Sequence, residues 1–345
     1  MEKQASPEAG RASAEARPAG ATIYSVADRA GVSIATVSRV LQGATVVAER
    51  TRQKVLAAVD ELGYVPLGAA RSLAVRHHEA HGLVLPELSG PYYAELLMGF
   101  EARAAELAQS VVLVLTDSRT DLAAAVKQLA TRVDAIAVFG SAREAVRLLK
   151  DRKPVVVIAG EPQEGVEVIA AENRESAREL AGHVLDHGRR RALFVGDPDS
   201  GPDIRHRYAG YVAAHEDRGL AAAEPVRVAL CEAEGTAFAR RLLAEELEAD
   251  ALLCANDELA LSIMTTLQDA GRDVPGDVAV AGWDDVMTAR YVRPGLTTVR
   301  QPVHELGALA ADRLHELVSG EPPRTEARLL PTQLVVRSSC GCPPA

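Results

Sequence analysis

Large rings are scarce in this chain. Only 3% of its 345 residues are aromatic, with one Trp and four Phe. A core poor in rings and rich in Ala favours helix. Cysteine is also sparse, and four Cys (Cys231, Cys254, Cys340, Cys342) make no disulfide framework for a chain of this size, so a reduced, cytoplasmic protein is expected. No apolar run reaches the ~18 residues of a membrane helix. The first twenty residues lack the apolar stretch of a secretory signal, and residues 1–21 read as a disordered tail. No phosphate loop and no GxGxxG is present.

What is present is an uneven charge and a change of texture. The net charge is −10, yet residues 21–80 carry seven Lys/Arg against five Asp/Glu. A mildly basic head on an acidic body attracts DNA at one end and repels it elsewhere. The length predicts two or three compact units. From Thr22 to Leu62 the pattern is helical. Ser25 with Asp28 suggests a capping box, and Val26, Ala27 and Ala30 an apolar face. Gly31 breaks the helix, and Ser33 can cap a second one striped by Val37, Val40 and Leu41. Residues 51–62 form a third, with Val55, Leu56, Val59 and Leu62 at helical spacing and Gly63 at its end. Three short helices with a tight glycine turn between the first two read as helix-turn-helix.

Beyond residue 81, short apolar runs alternate with helical stretches. The runs are 83–85, 111–115, 136–139, 155–159, 192–195, 226–230, 251–254 and 278–281, with a last strand expected at 333–337. Strands this apolar are buried on both faces, so the expected class is an α/β, two-lobed core of parallel, doubly wound sheets behind an all-α head. Ligands of such sheets bind beyond the carboxyl ends of the strands, in the loops at 86–93, 116–121, 140–141, 160–161, 196–208, 256–257 and 283–285. The predicted division is 22–66 for the DNA-binding head, 67–80 for a hinge helix and linker, and 81–345 for the core.

The runs TIYSVADRAGVSIATVSRVLQG, TRQKVLAAVDELGYVP and AARSL resemble the head of the LacI/GalR repressor family. PYYAEL, VDAIAVFG, RHRYAGY, CANDELAL, DVPGDVAVAGWDD, PGLTTVRQP and LPTQLVVRSS follow in the family's order. The resemblance implies a homodimer on a pseudo-palindromic operator and a core like periplasmic sugar-binding proteins, with an effector between its lobes. A dimer rather than a tetramer is expected, because the chain ends at CGCPPA without a leucine-heptad tail.

By that resemblance, Ser33, Ile34, Ala35 and Arg39 belong to the recognition helix. Arg39 can pair with a guanine edge, and Ile34 and Ala35 can touch a thymine methyl. Thr36, Ser38, Thr51 and Tyr64 are expected at phosphates. Leu73 matches the hinge leucine that wedges into the minor groove. Gln42, Ala48 and Leu67 depart from the family's residues at their positions, and an Ala cap is worth roughly 0.5–2 kcal/mol less than Ser.

For the effector, Tyr92 and Tyr93 match an aromatic pair that packs on a ligand ring. Arg207, Asn256 and Asp284 match polar ligand-readers, Asp203 is a further candidate, and Trp283 lies in the same turn as Asp284. Asp257 and Asp285 can alternatively cap the helices that follow. The aromatic common near residues 231–232 in the family is missing, so a ring is stacked on one side only, which favours a sugar or polyol. His77 and His81 have metal-pair spacing without a further ligand, and the Cys340/Cys342 pair alone is a poor metal site, so neither metal nor cofactor is expected. Residues 31–35 imitate a nucleophile elbow but lie between helices, not after a strand. A transport-type solute-binding protein or a sugar-modifying enzyme shares the core features. The head opposes the first, and the missing nucleophile–base set opposes the second.

Overall fold

The computed structural model describes residues 21–41, 46–64, 78–116, 121–140, 143–245 and 248–343. The chain divides into two units, residues 1–78 and 79–345.

In the head, helices α1 (Ile23–Ala30), α2 (Ile34–Leu41) and α3 (Glu49–Leu62) pack on one small core. Thr22, not Ser25, is the N-cap of α1. Its hydroxyl accepts from Ser25 N at 3.3 Å, while Ser25 Oγ accepts from Thr22 N at 2.8 Å. This reciprocal pair is the capping box, displaced by three residues from its expected place. Both α1 and α3 end on a left-handed glycine, Gly31 at φ 65° and Gly63 at φ 59°, a conformation only glycine adopts freely. The next residue then folds back, with Val32 N bonding to Ala27 O at 3.0 Å and Tyr64 N to Val59 O at 2.9 Å. On α3 the buried positions are Val55 and Ala58, whereas Leu56 is 45% exposed. The expected apolar stripe is thus rotated by part of a turn. Ala48 starts α3 without any side-chain cap.

The second unit has two lobes. The first holds a parallel sheet in the order β10-β5-β4-β3-β1-β2, from β1 (Ala80–Leu85), β2 (Ser110–Leu115), β3 (Ala135–Phe139), β4 (Val155–Ile158), β5 (Glu167–Ala171) and β10 (Arg328–Leu330). Helices α4 (Pro91–Glu106) and α11 (Val303–Val318) bury one face, and α5 (Leu122–Ala130) and α6 (Arg143–Leu149) the other. The second lobe holds β6 (Ala192–Val195), β7 (Ala251–Cys254) and β8 (Ala279–Ala281), in that order and parallel. Helices α7 (Arg174–Asp186) and α8 (Pro202–Glu216) cover one face, α9 (Glu232–Ala244) and α10 (Asp257–Asp269) the other.

The expected strand at 226–230 shrinks to a single bridge, Val226 to Val195. Pro225 precedes it, and Arg227 pairs at the surface with Asp197 and Asp199. Three strands were not expected: β5, β10 and a short one at Thr298–Arg300. β5 begins on Glu167, whose carboxylate is fully buried against Arg313 at 2.7 Å, and β10 is a short edge strand beside it. His81, expected at the first position of the core, is a buried residue of β1.

An antiparallel pair, β9 (Thr298–Arg300) with β11 (Gln333–Val335), belongs to the second lobe. The chain therefore crosses between lobes three times: after β5, after β9 and after β10. The crossings are stitched to one another, since Glu172 N bonds to Leu330 O at 2.8 Å and Thr332 Oγ1 donates to Glu172 O at 3.0 Å.

Candidate functional site

In the head, the helix that resembles a recognition helix turns one face inward through Val37 and Val40. Ser33 caps its start, accepting from Thr36 N at 3.2 Å. Ile34, Ala35 and Arg39 are exposed, Thr36 and Ser38 partly so. Arg39 has no hydrogen bond or ion pair among the described residues. The outward face thus offers one free guanidinium beside two small apolar groups. Thr51 is partly exposed in the first turn of α3. Tyr64 departs from its expected place: it is only 8% exposed, because the glycine turn at the end of α3 folds its ring into the head core. Tyr24 on α1 is 65% exposed and was not singled out from the sequence. Gln42, Leu67 and Leu73, with the hinge helix, lie outside the described residues.

In the core, the first sheet reverses its winding beside β1, and the single Val226 bridge flanks β6 on the side away from β7; the loops at those points face a cleft of about 360 Å³ between the lobes. Tyr92 and Tyr93 open α4, just after β1. Phe139, at the end of β3, completes the wall, with ring centroids 6.0 Å from Tyr92 and 5.2 Å from Tyr93. Phe139 was missed in the sequence because its apolar run read only as a strand. Burial, and then the nearby Asp203 and Asp284, push the Tyr92 hydroxyl well above its ordinary pKa.

The opposite wall is polar. Arg207 on α8 is only 5% exposed. Its Nε donates to Asn173 Oδ1 at 2.7 Å and its Nη1 to Ala255 O at 2.6 Å, so the head group is held rigidly. The guanidinium lies 4.6 Å over the Trp283 ring. Trp283 itself is buried and does not line the cleft: it is a plate beneath Arg207 rather than a ligand contact. Asp284 follows at φ 120°, a conformation that costs an L-residue strain, and accepts from Gln301 Nε2 at 2.6 Å. Burial raises its carboxyl above the ordinary value, as it does for Asp203. Arg207 pulls both back down without cancelling the rise.

Asn256 lines the cleft too, but its Oδ1 caps α10 by accepting from Leu259 N at 3.0 Å, and its Nδ2 donates to Leu230 O at 3.3 Å. Its polar atoms are therefore largely committed. Asp257 is not the cap: it is buried, accepting from Thr298 Oγ1 at 2.7 Å and Val286 N at 2.9 Å. Nor does Asp285 cap a helix, since it pairs with Arg300 and Arg337. Cys231, in the stretch at 231–232 where the family's aromatic is absent, lines the cleft beside Leu230, so among the described residues aromatic rings line only one wall. Glu87 and Glu258 also line the cleft, which among the described residues gives it four carboxylates to one arginine. A larger and more open depression of about 710 Å³ flanks the crossings, but it has no aromatic wall.

Two parts of the chain match described families. Residues 22–66 match the bacterial regulatory proteins of the lacI family, and residues 181–340 the periplasmic binding protein-like domain. Catabolite control protein A of Priestia megaterium is 32% identical over 332 residues, covering 92% of this chain and 98% of the relative. The chain belongs to the lacI family of bacterial regulatory proteins. Among solved structures, a lac repressor dimer bound to operator and an anti-inducer superposes on this lacI-family chain with a TM-score of 0.82 at 28% identity, covering 93% of this chain and 99% of that one. A complex of the transcriptional regulator CelR with cellobiose gives 0.71 at 29% identity, over 92% and 99%. This lacI-family protein is accordingly a DNA-binding transcription regulator, with an α/β, two-lobed core of the periplasmic-binding-protein type. No described helix is long and apolar enough to cross a membrane.

Proposed function

We propose that this regulator is a cytoplasmic homodimeric repressor of a pseudo-palindromic operator, and that a neutral sugar or polyol in the cleft controls its affinity for DNA. The observation that carries the effector class is the pairing of a one-sided aromatic wall with a polar wall of Arg207, Asp203 and Asp284. The apolar C–H face of a saccharide lies on rings, and its hydroxyls take charged partners at the rim. Among the described residues, four carboxylates against one arginine disfavour a phosphorylated or acidic ligand. The cavity lies near the small end of the roughly 300–1,000 Å³ range of ligand pockets. The lac repressor and CelR complexes, with operator and cellobiose respectively, support the same reading.

On the DNA side, Ser33, Ile34, Ala35, Thr36, Ser38, Arg39 and Thr51 are the proposed contacts, with Tyr64 positioning from within the head and Leu73 in the hinge. Two polar cleft residues are bonded directly to lobe crossings: Arg207 to Asn173 after β5, and Asp284 to Gln301 after β9. A ligand that recruits both groups therefore acts on the segments that set the lobe angle, which is the differential contact a two-state switch needs.

The test combines a ligand panel with an operator shift. A binding sugar changes Trp283 fluorescence through Arg207 above the ring, and changes operator affinity by about 5–150-fold. Arg39→Ala costs roughly 1–3 kcal/mol of operator binding and relaxes base choice at one position per half-site, leaving sugar binding intact. A tight ligand indifferent to Arg207→Ala and Asp284→Asn places the effector site elsewhere.

A further inference from the structure

Far from the cleft, four metal-ligating side chains converge. His183 sits in the last turn of α7 and His187 at its cap, one helical turn apart with ring centroids 4.9 Å from each other. The C-terminal segment after β11 brings Cys340 and Cys342 onto the same spot. His183 Nε2 lies 3.3 Å from Cys340 Sγ and 3.6 Å from Cys342 Sγ, and His187 Nε2 lies 3.2 Å from Cys342 Sγ. All four ligand atoms fall within 4.8 Å of one another. Zn–N bonds near 2.0–2.1 Å and Zn–S bonds near 2.3 Å make a tetrahedron with edges of about 3.3–3.8 Å, so a small inward movement completes the set.

We propose that His183, His187, Cys340 and Cys342 bind one Zn²⁺ in a closed tetrahedral site that clamps the C-terminal segment to helix α7. The donor chemistry selects the ion: two thiolates and two imidazoles, without a carboxylate, suit zinc better than magnesium, calcium or manganese. The cysteine pair is built to face one side. Gly341 between the thiols has φ 110°, closed to most side chains, and its turn is fixed by Gly341 N to Ser338 O at 3.2 Å. Ser339, the residue before the pair, is locked into the lobe, its O accepting from Val280 N at 3.0 Å and its Oγ from Thr297 N at 2.8 Å. Thr297 Oγ1 stands 3.2 Å from Cys340 Sγ, the kind of outer partner that orients a ligand. Four protein ligands leave no open position, so the ion is structural. Binding releases the two thiol protons to solvent and involves no electron transfer.

The site joins the segment beyond the third lobe crossing to the helix that begins at the first, both within the second lobe. It steadies the lobe that carries Arg207 without touching the cleft.

Untagged full-length protein, purified under reducing conditions, is stripped with chelator and reloaded with Zn²⁺ or Co²⁺. The expected result is one zinc per chain by elemental analysis. Co²⁺ gives thiolate charge-transfer and tetrahedral d–d bands, and zinc raises Tm by about 5 °C. His187→Gln at an exposed position and Cys342→Ser at a half-buried one melt as the metal-free wild type does and lose zinc affinity at least about tenfold. Cobalt without a thiolate band, equal melting of stripped and loaded protein, or full zinc retention in both variants overturns the proposal.

Discussion

The two walls of the cleft solve different problems with different materials. The first lobe contributes rings packed edge to face, Tyr92 and Tyr93 at the start of α4 and Phe139 at the end of β3 in the six-stranded sheet. The rings themselves carry no charge, although Glu87 and Ala159, the latter at φ 54°, stand on the same side. The second lobe has a three-stranded sheet and contributes groups held at a cost: a buried guanidinium, carboxylates raised by burial and a backbone at positive φ. An apolar wall can vary in shape at little expense, whereas a charged wall works only while every partner is in place. The ring wall thus supplies fit and the charged wall supplies response.

Arg207→Ala tests that division most severely. It leaves Asp203 and Asp284 without their nearest positive charge and removes donors from Asn173 and Ala255. A loss of about 2–5 kcal/mol in sugar binding is expected by calorimetry, with operator binding no longer responsive. An effect no larger than that of a ring substitution erases the distinction between the walls.

Asp284→Asn comes second, with two effects of opposite sign. Affinity for a hydroxyl ligand falls by about 1.5–3 kcal/mol, since a charged acceptor is lost. Stability rises, because asparagine tolerates positive φ and carries no buried charge. The sign with pH follows from the raised pKa, pushed up to about 8 by burial. Folded protein holds a proton that the unfolded chain has already lost, so wild-type stability declines as pH climbs from about 4 through 8. The variant's gain in Tm is therefore larger at pH 9 than at pH 5. A gain independent of pH assigns the effect to the backbone alone. In wild type, sugar affinity weakens below pH 8, where binding to the ionised carboxylate must first expel the proton.

The smallest effect belongs to the rings. Tyr93→Leu and Phe139→Leu each cost about 0.5–1.5 kcal/mol of sugar affinity and change preference among sugars more than total response. Loss of the DNA response with affinity preserved gives the ring wall a share in switching and breaks the comparison.

Much of this was legible in the sequence, where local physics decides. The three head helices showed in their apolar spacing and glycine stops, and most sheet strands in uninterrupted apolar runs. Legibility failed where a distant partner decides. The strand opening on Glu167 reads as polar until Arg313, 146 residues away, neutralises its carboxylate. The run at 226–230 reads as a strand, but its arginine is drawn to surface aspartates. The pattern on α3 could not say which flank of the stripe the head core takes, and so chose Leu56 over Ala58. In the cleft, Asn256 also caps α10, a second task its sequence position did not show, and Trp283 looked like a contact when Arg207 covers it. Cys340 and Cys342 looked isolated because their imidazole neighbours lie more than 150 residues earlier in the chain.

The bonds from Arg207 to Asn173 and from Asp284 to Gln301 also bear on protein engineering. Anyone redesigning this chain as a biosensor for a different molecule faces a partition of editable and fixed positions. Libraries at Tyr92, Tyr93, Phe139, Leu230 and Cys231 can search for new analytes while the arginine and aspartate remain as a common handle. Libraries that randomise the handle itself are expected to yield binders that report nothing, because the grip on the chemical and the grip on the moving segments are the same two side chains.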